Sequence, residues 1–101
     1  MPANCETEMQ VVQFKHESIK NNRELYPSCT RVHQCSGCCS NKQNCLPSKI
    51  RRLVYSVYLI NSLTQKTIRN VTVEVDEHLD CECKCKLTAK VIIIVIYFNI
   101  I

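Results

Sequence analysis

Cys35-Ser36-Gly37-Cys38-Cys39 is the stretch on which the reading of this chain turns, and Cys81-Glu82-Cys83 is its counterpart. In an extended strand, residues two apart share a face, so Cys35 and Cys39 point together, as do Cys81 and Cys83. Two bridges between these pairs would close a small ring from the two stretches. A third bridge passes through such a ring only where a ring residue lacks bulk, and the ring holds Gly37, the only glycine of the chain. The spacing therefore predicts a threaded ring. Cys38 has the opposite parity, points away, and is free to pair elsewhere, including with a second chain.

The rest of the composition fits a scaffold of this kind. At 101 residues and 11.7 kDa the chain holds one small domain. It has nine cysteines, no tryptophan, two phenylalanines and four tyrosines. Few bulky aromatics leave crosslinks to carry stability, each contributing about 3 kcal/mol, mainly by restricting the unfolded chain. One glycine stands where average usage would place about seven. That excludes the glycine-rich phosphate and dinucleotide loops and the nucleophile elbow. A net charge of +4 is too mild to argue for nucleic acid. Disulfides persist outside the cytosol, so the expected localisation is secreted and extracellular. Residues 1–4 read as a truncated N-terminal remnant, the signal peptide being missing; residues 5–85 are the domain, and 86–101 a basic, then apolar tail.

Val71, Val73 and Val75 alternate with Thr72, Glu74 and Asp76, the period-two pattern of a strand with one buried face. Ile50 to Ile60 is rich in β-branched and aromatic residues, and Asn61 to Lys66 is a polar connection. Together they predict a hairpin. Residues 6–14 read as a short strand and Lys15 to Glu24 as a loop or helical turn. Tyr26-Pro27-Ser28 is a rigid extended segment, and Ser40 to Asn44 a turn. The fold class is all-β. The tail Val91 to Ile101 is too short to cross a bilayer, which takes about 20 residues. It is uncharged, free of proline and prone to aggregate, and is expected to stand outside the working domain.

Four stretches carry a family resemblance: Pro27-Ser28-Cys29, Cys35-Ser36-Gly37-Cys38-Cys39, Cys45-Leu46-Pro47-Ser48, and Asp76-Glu77-His78-Leu79-Asp80-Cys81-Glu82-Cys83. Over Cys5 to Cys83 the chain resembles the platelet-derived and vascular endothelial growth factor family, closer to the platelet-derived branch. The resemblance implies a cystine-knot growth-factor fold of two irregular antiparallel hairpins in a disulfide-linked dimer. It implies knot bridges Cys35–Cys81 and Cys39–Cys83 threaded by Cys5–Cys45, and interchain bridges from Cys29 of one subunit to Cys38 of the other. Cys85 lies outside these eight and is expected to be free, or to pair with a cysteine beyond this chain. The implied function is a secreted, dimeric mitogen that brings receptor tyrosine kinases together. The alternative is a knotted antagonist or inhibitor that binds without signalling.

Other uses of the residues compete less well. Cys35, Cys38, Cys81 and Cys83 would suit zinc, but such a site leaves Cys5, Cys29, Cys39 and Cys45 without a purpose. No metal or cofactor is expected. His16, His33 and His78 are scattered, with no nucleophile at a recognisable spacing, so no catalytic residue is assigned; His78 reads as a packing or hydrogen-bonding residue. Arg51, Arg52, Lys84, Lys86 and Lys90 are candidates for a heparan-type polyanion, against a simple solvated face. Asn70-Val71-Thr72 is a glycosylation sequon with Asn70 on the exposed parity. Receptor contacts are expected on loops projected from the cysteine frame: Phe14 to Leu25, Ser40 to Asn44 and Asn61 to Lys66. The family places the first and third at one pole, with the second supplied by the other subunit. The candidate contacts are Phe14, Ile19, Leu25 and Leu63 with Lys15, Lys20, Arg23 and Lys66.

Overall fold

A computed structural model describes residues 3–85 and 92–99. Six strands and no helix make up the described chain: β1 Glu6–Gln13, β2 Arg23–Tyr26, β3 Cys29–Ser36, β4 Asn44–Asn61, β5 Thr67–Lys84 and β6 Ile92–Asn99. The dominant element is the long hairpin of β4 and β5, each 18 residues. Its register sets Leu53 opposite Val75, Tyr55 opposite Val73 and Val57 opposite Val71. All six side chains are buried on one face, so the period-two pattern becomes a cross-strand core. The register shifts between Leu59 and Ile60. An extra residue there re-aims the chain, which lets both Leu59 and Ile60 be buried although they are neighbours.

β2 extends this sheet by pairing antiparallel with the far end of β4, and β1 pairs with β3 in a separate two-stranded ribbon. Leu25 of β2, Val32 of β3 and Phe14 just past β1 reach into the core, Phe14 meeting Tyr55 at a ring-centroid distance of 5.3 Å. The molecule is elongated, 51 × 26 × 22 Å.

Three expectations need correction here. Arg23 and Glu24 belong to strand β2 rather than to a loop or helical turn, because pairing with Asn61 and Ile60 fixes them as extended. Phe14 and Leu25, taken as receptor contacts, are only 5% and 4% exposed and are core residues. The apolar tail is also not wholly outside the fold. Ile92–Asn99 pairs in parallel with Lys49 to Ser56, and Ile96 packs on the core opposite Leu53. The edge of β4 between β2 and the ring end offers free hydrogen-bonding groups, and an extended β-branched run takes them.

Candidate functional site

The ring end is built at the ends of β3, β4 and β5. Disulfides join Cys35 to Cys81, Cys39 to Cys83 and Cys5 to Cys45, the pairs that the resemblance implies. β3 stops at Ser36 and Gly37 takes φ +122°, so the backbone leaves the strand before Cys39. Strand parity is therefore not what aims Cys39 at Cys83; the glycine turn is. A Cβ at Gly37 would lie 2.0 Å from the Asn4 carbonyl oxygen. Asn4 bridges Cys38, and the Cys38 N–H donates to the Ala3 carbonyl at 2.7 Å. The N-terminal segment thus lies where the missing side chain would be. The sulfurs of Cys5, Cys39 and Cys83 converge within 4.8 Å of one another. All three are already in disulfides, so the cluster offers a metal no thiolate.

Cys29 is half-buried at the start of β3, while Cys38 and Cys85 are exposed; none of the three is in a disulfide. β3 is eight residues long, roughly 23 Å at about 3.3 Å per residue, whereas a disulfide needs Cα atoms within about 7 Å. Cys29 and Cys38 of one chain cannot meet.

Below the ring, polar bonds tie β3 to β5. Glu77 is 6% exposed, and its carboxylate accepts from the His33 backbone N–H at 3.1 Å, from the His33 ring at 3.2 Å, and from the Arg51 guanidinium. Burial opposes its charge, but the Arg51 and His33 hydrogen bonds outweigh it and hold Glu77 below its ordinary value of 4.5. His78 Nδ1 accepts the Cys35 N–H at 2.7 Å. Its burial pushes the imidazole below 6.5, with Asp76 pulling the other way, so the neutral acceptor is favoured. Sequence parity carried a signal for Glu77 that the reading missed: it continues the inward series of Val71, Val73 and Val75.

Because the carboxyl is depressed in the fold, its contribution is full above the ordinary carboxylate range and lost as pH falls through its folded value. Glu77→Gln should flatten the acid limb of a thermal-stability profile. Glu77→Ala should cost about 2 kcal/mol, less than for a fully buried pair because Arg51 can turn to water. Parallel acid limbs in wild type and Glu77→Gln would remove Glu77 from this role.

At the far end, β4 and β5 meet in the turn closed by the Asn61 N–H donating to Lys66 at 2.9 Å. The Ser62 N–H donates to Asn22 at 2.8 Å, and Arg69 donates to the buried Ser18 hydroxyl at 2.8 Å. These bonds draw residues 15–22 against the hairpin tip. Ile19 is 40% exposed, Leu63 75% and Ile68 43%, with Lys20, Arg23 and Lys66 exposed around them. Ile68 and Arg69 escaped the sequence reading, which looked only at loops, whereas both stand at the start of β5 just past the turn. Lys15 lies elsewhere, beside Glu74, Asp76 and His78 in a cleft farther down β5. Ser40 to Asn44 lies at the ring end, at the opposite end of β4.

Arg52 pairs with Asp76 at 3.2 Å and Lys84 with Glu82 at 3.5 Å, while Arg51 is held by Glu77. The polyanion candidates among the described residues are therefore each matched by a carboxylate; Lys86 and Lys90 lie outside the described residues. Asn70 is exposed on β5.

The family model for the PDGF/VEGF domain matches residues 5–83, from the threading cysteine to the last ring cysteine. The chain belongs to the PDGF/VEGF family. It is 30% identical over 95 residues to the B-type subunit of platelet-derived growth factor from Canis lupus familiaris and, likewise, from Homo sapiens. Each alignment covers 89% of this chain and 39% of that protein. It is 30% identical over 97 residues to the PDGF-related transforming protein sis of woolly monkey sarcoma virus, covering 91% of this chain and 43% of that protein. The chain thus spans about two-fifths of the length of the curated relatives it matches. The crystal structure of the Orf virus NZ2 variant of VEGF-E superposes with a TM-score of 0.60 at 19% identity, covering 81% of this chain and 86% of that one. The PDGF/VEGF cystine knot is therefore the frame on which Cys29, Cys38 and the loop pole are carried.

Proposed function

We propose that this chain is a secreted growth-factor ligand that acts as an antiparallel, disulfide-linked homodimer and brings two receptor tyrosine kinase ectodomains together, stimulating proliferation or migration. The observation that carries the reading is the placement of Cys29 and Cys38 outside the knot, too far apart along β3 to join within one chain. Two copies side by side and reversed would satisfy both cysteines at once through a twofold axis. The same reversal brings the Ser40 to Asn44 turn of each copy next to the loop pole of the other. The dimer then presents two identical poles, and holding two receptors close is its whole mechanism. Asn70 is the glycan acceptor, and a knotted antagonist would use the same pole without the paired geometry.

The receptor surface in this reading is Ile19 and Leu63 ringed by Lys20, Arg23 and Lys66, with Phe14 and Leu25 supporting it from the core. Leu63→Ala should weaken receptor binding about thirtyfold, the effect of losing an anchor worth about 2 kcal/mol. A combined Lys20→Glu, Arg23→Glu variant should slow association and reduce its salt dependence. Both should remain covalent dimers. Undiminished receptor phosphorylation by both variants would move the surface elsewhere.

A further inference from the structure

We propose that the open edge of β6 is a strand-addition surface for a second copy of this chain, joined β6 to β6 in antiparallel pairing. β6 borders β4 on one side, and among the described residues nothing pairs with its other side. An unpaired strand edge presents a row of N–H and C=O groups to any extended chain that can approach it. Ile92, Ile93, Ile94 and Val95 are 61%, 47%, 43% and 50% exposed, and Tyr97 is 76% exposed. Since successive residues point to opposite faces, both faces of β6 carry exposed apolar side chains, with Ile96 alone among the described ones packed on the core.

The occupant follows from charge, symmetry and area. The chain carries a net charge of +4, which keeps copies apart, yet Ile92–Asn99 holds no charged residue. Three cations of β4 lie opposite it, Lys49, Arg51 and Arg52, and two of them, Arg51 and Arg52, are matched by Glu77 and Asp76. β6 itself therefore brings no like charge to a meeting of two copies. Antiparallel pairing of identical strands is its own twofold, so each edge supplies what the other lacks. β6 supplies eight residues, fewer than the roughly 20–30 a side of a standard stable interface. Pairing through β6 is accordingly reversible and concentration-dependent.

The strand that carries this edge contains neither Cys29 nor Cys38 and none of the residues of the loop pole. Where the covalent dimer of the proposed function forms, which is the one step that rests on that reading, each dimer carries two β6 edges. Dimers then link into open chains.

Sedimentation velocity on the oxidised chain over a hundredfold concentration range tests this, beside a nonreducing gel of the same samples. Species larger than the gel-resolved unit should grow with concentration. Ile92→Lys with Ile94→Lys should shift the association at least tenfold to higher concentration, as should Ile93→Lys with Val95→Lys on the other face. A chain lacking both Cys29 and Cys38 should stop at a noncovalent pair, which separates failure of the covalent dimer from failure of the β6 contact. Absence of larger species in wild type, or equal association by both lysine variants, would overturn the proposal. So would flotation of wild type with neutral phosphatidylcholine vesicles, lost in the lysine variants, without self-association, because the strand would then serve a lipid surface.

Discussion

Gly37→Ala should yield no chain with the native set of disulfides. The added Cβ would sit 2.0 Å from the Asn4 carbonyl oxygen and 2.5 Å from its carbon, both backbone atoms that cannot rotate away. The residue also holds φ +122°, which an alanine adopts only under strain. Either effect alone is a severe substitution, and together they should exceed about 4 kcal/mol, the range in which single changes are exceptional. Oxidative refolding followed by disulfide mapping reads the outcome. The ring bridges Cys35–Cys81 and Cys39–Cys83 remain possible, so the expected failure is specific: Cys5 and Cys45 stay reduced or pair wrongly. Recovery of all three native bridges in Gly37→Ala would show that the Asn4 segment is not confined by the ring.

The covalent dimer should be equally sharp in its response. Wild type should migrate near twice 11.7 kDa without reductant and as a monomer with it. Cys29→Ser alone should give no covalent dimer, and neither should Cys38→Ser, because each interchain bridge needs one residue of each kind. Mixing the two variants during refolding should restore a dimer held by a single bridge, since one chain keeps Cys38 and the other Cys29. The knot, which uses neither residue, should survive in every case. Alkylation of the wild-type dimer should label one thiol per chain, at Cys85. A wild-type monomer with Cys29 and Cys38 both labelled would sink the dimer and favour the antagonist.

The legible part of this fold was the part written in spacing. The cysteine intervals and the lone glycine pointed to the ring, and Val71, Val73 and Val75 to the inner face of the hairpin. Phe14 and Leu25 were misplaced because their neighbours are polar. Leu25 is buried by β2 returning to the distant end of β4 and Phe14 by packing on Tyr55, long-range contacts with no local signal. Glu77 shows the reverse error: its parity was inward, but a carboxylate reads as exposed until Arg51 and the His33 amide are seen to satisfy it. At the pole, Ile19, Lys20, Arg23, Leu63 and Lys66 came from loop positions alone, while Ile68 and Arg69 belong to the start of a strand, outside every loop the cysteine frame projects.

The threaded ring also sets an order of events. Cys5 is synthesised before every residue of the ring, and Cys81 and Cys83 are synthesised last. By the time the ring can be shut, the N-terminal segment and Cys45 already exist and can lie in place. The loop is then drawn closed around a strand that is waiting, and no chain end has to find a finished hole. Once shut, the arrangement is indifferent to cuts in residues 15–22 or 62–66, since neither stretch belongs to the ring or to the bridge that crosses it. A nicked molecule would keep its fragments locked together until a reductant opened it.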